Sequence, residues 1–209
     1  MNTTEINKTE NVLHRLHQDA KNDFMRIGKG LVKSILRPMK AKDFEHAYLP
    51  ITKEQGQFMR QLILENGFKH VVEFGTSFGI SAIYLADGVR QTGGKVITTE
   101  LLESKAKKAS ENIEAAGLTD YVEVRTGDAM ITLSEHKETI DFLFLDGWKD
   151  IYLPLFQMLE PNFHSGTLIY ADNMDMKGAQ RYADYVLSKS DVYATRKVDN
   201  EKAFLTALV

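Results

Sequence analysis

The chain has 209 residues, which is enough for one large domain with its own core, and we predict a single domain over 1–209. Its 26 basic and 29 acidic residues give a net charge of -3, so no global basic field indicates a nucleic-acid partner. The absence of cysteine excludes disulfides and thiolate metal sites and suits a cytoplasmic protein. The first ten residues are polar, and no apolar run approaches the ~20 residues of a membrane span, so we expect no membrane association.

The first part of the chain, 1–47, predicts a helical extension or lid that precedes the main domain. Apolar residues recur at helical spacing from Val12 to Leu16 and again from Phe24 to Ile35. The stretch 21–42 is also locally basic. A solvated face on a packed helix is the favoured explanation, and a lid that meets an acidic substrate or a partner is the alternative.

The main domain, 48–209, is predicted to alternate strands and helices. A helix should begin at a capping box formed by Thr52 and Gln55 and end at Gly67. Alternation favours a parallel sheet with helices on both faces. The four residues 199–202 are too few for a crossover and predict an antiparallel hairpin. The predicted strands are 69–75, 95–100, 121–126, 140–146, 167–172, 192–198 and 203–209, with further helices at 79–91, 103–116, 128–136 and 152–160.

A glycine-rich turn follows the first predicted strand. Gly75 and Gly79 are spaced Gly-x-x-x-Gly, which does not match the dinucleotide fingerprint Gly-x-Gly-x-x-Gly. Packing and close approach of a cofactor explain such glycines equally well. Glu100 ends the second strand, where an acid can bind ribose hydroxyls, although a helix-capping glutamate is the alternative. Together these features favour a nucleoside site.

Polar residues follow the fourth and fifth predicted strands. Asp146 comes directly after one strand, and Asp172 and Asn173 come after the next. The carboxyl ends of parallel strands meet at one edge of a sheet, so we expect these side chains to converge with Lys149. Oxygen ligands select hard cations such as Mg²⁺, Mn²⁺ or Ca²⁺. Structural alternatives are loop caps for the aspartates, a surface lysine, and a core role for Trp148.

Three blocks of sequence carry a resemblance to a known family. They read Glu-Phe-Gly-Thr-Ser-Phe-Gly-Ile-Ser at 73–81, Leu-Asp-Gly-Trp-Lys-Asp-Ile-Tyr at 145–152 and Ala-Asp-Asn at 171–173. They resemble the class I S-adenosylmethionine-dependent methyltransferases, in particular the catechol and caffeoyl-CoA O-methyltransferases and their small bacterial relatives. The resemblance covers about 48–173 and implies a Rossmann-like α/β fold. One departure is Gly147, where the catechol enzyme has histidine.

The resemblance implies a role for each matching residue at the cofactor. Glu73 and the backbone of Gly75 and Thr76 would contact the methionine part of S-adenosylmethionine, Ser81 would hold its carboxylate, and Glu100 would bind both ribose hydroxyls. Further cofactor contacts are implied for Ile51 at the methionine end, for Asp128, Ala129 and Trp148 around the adenine, and for Asp146.

The resemblance also implies a metal and a catalytic base. Asp146, Asp172 and Asn173 match the three protein ligands of a magnesium-type ion, and Lys149 matches the general base of the catechol enzyme. Asp146 would thus contribute to catalysis as well as to metal binding. A glutamate orients the second hydroxyl in that enzyme, and the corresponding stretch here, 192–196, offers no match.

The function expected from this pattern is metal-assisted methylation of a hydroxyl on a small catechol-like aromatic. The expected partners are that substrate and, for assembly, a second copy in a homodimer. One alternative is a metal-independent methyltransferase acting on nitrogen, protein or RNA, with structural carboxylates. Another is a nicotinamide-dependent oxidoreductase or a nucleotide-binding module without chemistry, which the glycine spacing and the terminal hairpin disfavour.

Overall fold

Seven strands form one sheet in the computed structural model, which describes residues 3–21, 45 and 50–209. The sheet order is β3-β2-β1-β4-β5-β7-β6. The first five strands are parallel, and β7 runs antiparallel to both β5 and β6. This confirms the predicted α/β fold with its carboxyl-terminal hairpin. The strands are β1 His70–Phe74, β2 Lys95–Glu100, β3 Val122–Thr126, β4 Ile140–Leu145, β5 Phe163–Ala171, β6 Tyr193–Val198 and β7 Ala203–Leu208.

Seven α-helices accompany the sheet in the described part of the chain. They are α1 Thr3–Lys21, α2 Lys53–Asn66, α3 Ile80–Thr92, α4 Glu103–Ala115, α5 Ala129–Thr132, α6 Tyr152–Leu159 and α7 Gln180–Ser188. The helix predicted from Phe24 to Ile35 lies outside the described residues. None of the described helices combines the length and the apolarity that crossing a bilayer requires.

The helices cover both faces of the sheet, as predicted. Successive side chains of a strand point to opposite faces, and the core is divided accordingly. Val71 and Phe142 belong to the apolar layer shared with α1 to α4. Val72 and Leu143, one position further along the same strands, belong to the layer shared with α5 to α7. Burial on both sides explains why β1 and β4 read as nearly continuous apolar runs.

The predicted capping box at the start of α2 is present. The side chain of Thr52 accepts a hydrogen bond from the backbone of Gln55 at 3.0 Å, and the Gln55 side chain accepts one from the backbone of Thr52 at 2.8 Å. Gly67 ends the helix in the left-handed conformation. The same Gln55 side chain also reaches the carboxyl edge of the sheet.

Three elements differ from the sequence prediction. β5 begins at Phe163 rather than 167, with a register irregularity opposite the start of β4. α5 has only four residues, because the N–H of Ser134 bonds to Ile131 three residues back and the helical ladder stops. α7 was not predicted, although buried Tyr182, Ala183 and Val186 have helical spacing.

Candidate cofactor and metal site

The glycine turn between β1 and α3 is shaped by close backbone contact. Gly75 has a φ of 107°, and a Cβ there would lie 2.8 Å from the backbone of Asp146 and Gly147. The turn thus brings the ends of β1 and β4 together, where the sheet order reverses direction. The N–H groups of Gly75 and Thr76 both donate to the Thr99 carbonyl, at 3.2 and 3.0 Å. The close packing against Asp146 and Gly147 therefore explains why position 75 is glycine. The N–H groups of Gly75 and Thr76 are already hydrogen-bonded within the protein.

A crevice opens beside this turn, with about 260 Å³ of empty space that is partly open to solvent. Five of the predicted cofactor residues line it: Ile51, Gly75, Thr76, Ser81 and Asp146. Helix α3 begins at this wall without a side-chain cap. The first N–H groups of an α-helix have no intrahelical partner, so this end of the crevice suits a carboxylate.

Glu73 is fully buried next to the crevice. Its Oε2 accepts a hydrogen bond from the Thr98 hydroxyl, while no described group bonds to its Oε1. Burial raises its pKa to about 7, against the opposing effect of the Ser81 and Thr98 hydroxyls. A buried carboxylate oxygen without a partner is costly in free energy, and an ammonium group supplied by a ligand would satisfy it.

Glu100 joins two loops at the end of β2. Its Oε2 accepts the N–H of Ser77 at 2.8 Å, and its Oε1 accepts the N–H of Leu102, the residue before α4, at 3.0 Å. The bond to Leu102 anchors the residue that precedes α4 and does not reach an N–H of the first helical turn, so it is not a helix cap in the strict sense. It does not exclude the predicted ribose contact, because each carboxylate oxygen can accept a second hydrogen bond.

The predicted adenine residues lie apart from the lining of this crevice. Asp128 caps α5 by accepting the N–H of Met130 at 2.9 Å, and Ala129 is buried in the core beneath. Trp148 is 37% exposed, so the core alternative is wrong for this side chain. A Cβ on Gly147 would overlap the ring of Phe74, which explains why no histidine stands there.

The acids that follow β4 and β5 lie close together, as the parallel sheet requires. Asp146 Oδ1 accepts a hydrogen bond from Lys149 Nζ at 3.1 Å. Asp172 Oδ1 accepts the N–H of Asn173 at 2.8 Å, and Asn173 adopts a left-handed φ of 54°. The hydroxyl of Tyr152 donates to the carbonyls of Leu145 and Asp172, at 2.7 and 3.2 Å, and ties the two strand ends together.

The electrostatics of these acids favour added positive charge. Burial raises the pKa of Asp146, and only the Lys149 ammonium opposes that effect. Burial, and then the nearby Asp146, raise the pKa of Asp172 to about 6. Two carboxylates with raised pKa values are held close to a single lysine. No cluster of three His, Cys, Asp or Glu residues that could hold a metal occurs in the described residues, and the predicted ligand set instead contains one asparagine.

Two residues at this site were missed by the sequence analysis. Gln55 Nε2 lies 3.3 Å from Asp172 Oδ1 and 3.1 Å from Asp199 Oδ2. Asp199 lies at the turn between β6 and β7, beyond the stretch 192–196 that corresponds to the glutamate of the catechol enzyme. The hairpin itself was the available signal, because its turn points to the carboxyl edge of the sheet.

Comparison with known proteins agrees with this geometry. A family model described as O-methyltransferase matches residues 29–199. The catechol O-methyltransferase of Niastella koreensis is 34% identical over 134 residues, which are 62% of this chain and 60% of that protein. The catechol O-methyltransferase of Bos taurus is 31% identical over 147 residues, 67% of this chain and 54% of that protein.

A solved structure supports the same assignment. The O-methyltransferase from Bacillus cereus in complex with SAH superposes with a TM-score of 0.69 at 30% identity, covering 77% of this chain and 82% of that one. The chain spans little more than half the length of the two catechol enzymes above. The family model, in contrast, covers most of its residues. The chain therefore belongs to the O-methyltransferase family.

Proposed function

We propose that this chain transfers the methyl group of S-adenosylmethionine to a hydroxyl of a small catechol-like aromatic, assisted by a divalent cation. Mg²⁺ is the favoured cation, with Mn²⁺ and Ca²⁺ as alternatives. The observation that carries the proposal is the meeting of Asp146, Asp172 and Lys149 at the ends of β4 and β5, beside the glycine-turn crevice. A cytoplasmic location, a homodimer and a single domain stay predictions.

The crevice fits the charged ends of this cofactor. Its methionine part carries an ammonium and a carboxylate, and the crevice offers a partner for each. The buried Oε1 of Glu73, which has no partner among the described residues, suits the ammonium, and the start of α3 at Ser81, which lacks a side-chain cap, suits the carboxylate. Glu100 can then take the ribose hydroxyls through its remaining acceptor positions. The Bacillus cereus relative was solved in complex with SAH, which supports an S-adenosyl cofactor for this chain.

The acids fit a hard divalent cation. Asp146, Asp172 and Asp199 are three carboxylates near one ammonium, that of Lys149, so the site has an excess of negative charge. Asp146, Asp172 and Asn173 would hold the cation through oxygen atoms, the ligand type that Mg²⁺ prefers. Positive charge added there would favour the ionised forms of Asp146 and Asp172 and offset the cost of their burial.

The reaction divides the work among these residues. When bound, the cation would supply Lewis-acid chemistry that lowers a phenol pKa from its ordinary value near ~10, and the cofactor would supply an activated methyl group. Lys149 lies beside Asp146 with 11% of its side chain exposed, and in its neutral amine form, with the cation in place of its charge beside Asp146, it would take the proton of the attacked hydroxyl. Asp199 would accept a hydrogen bond from the neighbouring hydroxyl of the substrate. The resemblance gives this role to a glutamate.

A metal-independent methyltransferase is the second candidate. It is favoured by the ion pair between Lys149 and Asp146, which already neutralises one carboxylate. In that case Lys149 would be occupied as a counter-ion, and neither aspartate would need a cation. The nicotinamide-dependent alternative has no support from the family match.

Two measurements separate these functions. Calorimetric titration with S-adenosylmethionine, its demethylated product and NAD should give binding for the first two ligands alone. Methyl transfer to a panel of catechols should then stop in excess chelator and return with added Mg²⁺. Full activity in chelator would leave the metal-independent function standing, and binding of NAD alone would overturn both.

A further inference from the structure

We infer that Gln55 is a positioning residue that holds Asp199 beside Asp172 at the carboxyl edge of the sheet and thereby determines which of two adjacent hydroxyls receives the methyl group. The inference rests on the proposed function and adds a specificity determinant to it. Gln55 lies on α2, far along the chain from both acids, and its side chain is 7% exposed.

The side chain of Gln55 is fixed at both ends of its amide group. Its Oε1 accepts the N–H of Thr52 at 2.8 Å and completes the helix cap. Its Nε2 lies 3.1 Å from Asp199 Oδ2 and 3.3 Å from Asp172 Oδ1. It also lies 3.5 Å from the Tyr170 hydroxyl. An amide nitrogen with two hydrogens can bridge two carboxylates that would otherwise repel each other.

The residue type is informative because glutamate also completes a capping box. A glutamate at position 55 would still accept the N–H of Thr52. It would place a further carboxylate beside Asp172 and Asp199 and would donate nothing to either. The helix cap therefore does not explain the choice of glutamine, whereas the bridge does.

The turn that carries Asp199 is held in an uncommon backbone conformation. Asp199, Asn200 and Glu201 have φ values of 50°, 53° and 69°, and none of them is glycine. Left-handed residues other than glycine cost free energy, and a run of three persists only where surrounding contacts hold it. Contacts within the turn do part of this: the N–H of Lys202 donates to the Asp199 carbonyl at 3.1 Å, and Lys197 Nζ donates to Glu201 Oε2 at 3.0 Å. Contacts from outside the hairpin do the rest: the N–H of Met174 donates to the Lys202 carbonyl at 2.7 Å, and Gln55 bonds to Asp199.

This arrangement makes Asp199 an orienting group. It faces Asp172 across the Gln55 amide, next to the proposed cation site. A hydroxyl that bonds to Asp199 is turned away from the methyl donor, and its neighbour on the ring is presented instead. A shift of the Asp199 carboxylate would weaken the selection between the two hydroxyls. The ratio of the two monomethylated products therefore reports on Gln55 through its effect on Asp199.

The test compares Gln55→Glu with Gln57→Glu, which adds the same charge on an exposed position of the same helix. With an asymmetric catechol, S-adenosylmethionine and Mg²⁺, Gln55→Glu should change the product ratio several-fold and raise the catechol KM by ~10-fold or more. Cofactor affinity should stay within about twofold. Gln57→Glu should match the wild type in all three. In the double variant Gln55→Glu with Asp199→Asn, the asparagine amide can donate a hydrogen bond to the new glutamate. This variant should therefore return part of the way to the wild-type product ratio.

The outcomes are distinguishable. An unchanged product ratio and KM in an active Gln55→Glu variant would overturn the inference alone. Changes no larger than those of Gln57→Glu, or no recovery in the double variant, would assign Gln55 to the helix cap. A wild-type protein that binds the cofactor but methylates no catechol would instead overturn the proposed function, and the orienting role with it.

Discussion

Strand β4 carries an aspartate near each end, and the two are held in opposite ways. Asp141, at the start, accepts the N–H groups of Lys69 and His70 at 2.7 and 2.8 Å and His164 Nε2 at 2.9 Å. The side chain of Asp146, just past the end, has one partner within the described part of the chain, Lys149. The same residue type on one strand thus has full hydrogen bonding at the amino edge of the sheet and sparse bonding at the carboxyl edge.

The pKa shifts follow this difference. Burial alone would raise the pKa of Asp141, but the N–H donors and His164 overcome it and lower that pKa. Burial raises the pKa of Asp146, and Lys149 only partly opposes it. The amino-edge acid therefore stabilises the fold, whereas the carboxyl-edge acid is kept short of partners at a cost in stability. Such a cost is typical of residues that bind a ligand.

The largest expected effect is the loss of activity when a carboxyl-edge acid is removed. Asp172→Ala should abolish Mg²⁺-stimulated methyl transfer, a larger loss than the ~10–100-fold that removal of an outer-shell partner causes. Its melting temperature should not fall, because the substitution also removes a buried negative charge next to Asp146. Activity assays test the expected loss of methyl transfer, and thermal unfolding tests the expected melting temperature. Retained Mg²⁺-dependent turnover would contradict the ligand role, and Asp175→Ala, on an exposed neighbour, is the matched control.

Lys149→Met should lower turnover by ~10²–10⁴-fold, the usual size of a general-base contribution. Met keeps most of the apolar stem, and the lysine lies 5.1 Å from the centre of the Tyr152 ring, so the local packing should survive. The loss should shrink as pH rises, because a more ionised substrate needs the base less. Single-turnover rates across pH, with calorimetric cofactor affinity as the control, measure this. A normal rate would leave Lys149 as the counter-ion of Asp146 alone.

Glu100→Ala should weaken cofactor binding by ~10–100-fold, through lost ribose bonds and through release of Ser77 and Leu102. Glu103→Ala, an exposed acid in the first turn of α4, is the matched control and should bind the cofactor normally. Calorimetry separates the two variants. Equal affinity in both would restrict Glu100 to holding the loops.

The sequence predicted the strand-end acids because parallel strands place their carboxyl ends together whatever lies between them. That rule needs only the positions of Asp146 and Asp172 after two apolar runs. It cannot find Gln55, because a capping box already accounts for that residue locally and its second partner set is 117 and 144 residues away. Pairings so distant along the chain leave no periodic signal.

The glycine turn shows the opposite limit. The sequence located the turn correctly, but the reason for Gly75 depends on how closely the backbone of Asp146 approaches it. Only the assembled sheet shows that Gly75 both packs against the backbone of Asp146 and lines the crevice. The length of α5 and the presence of α7 were likewise decided by local hydrogen bonds and by packing against β6, not by helix propensity.

The smallest expected effect concerns the amino edge and its pH dependence. The pKa of Asp141 is lowered, so its contribution is present above its unfolded value of ~3.9 and is lost as pH falls through the lower folded value. The pKa of His164 is raised by the Ser165 carbonyl and by Asp141. Its contribution is complete below ~6.5 and is lost as pH rises through the folded value.

Asp141→Asn removes the charge that both groups share, so the variant should lose about 1 kcal/mol of unfolding free energy at pH 5.5 and less at pH 9, where His164 is neutral in either protein. Its amide oxygen can still accept the N–H groups of Lys69 and His70, which keeps the effect small. Urea unfolding at the two pH values measures this, with exposed Asp120→Asn as the control. Methyl transfer per folded molecule should be unchanged, because Asp141 lies at the edge of the sheet opposite Asp146. A loss of activity with normal stability would mean that Asp141 contributes to the site and not only to the stability of the fold, which would contradict the contrast with Asp146.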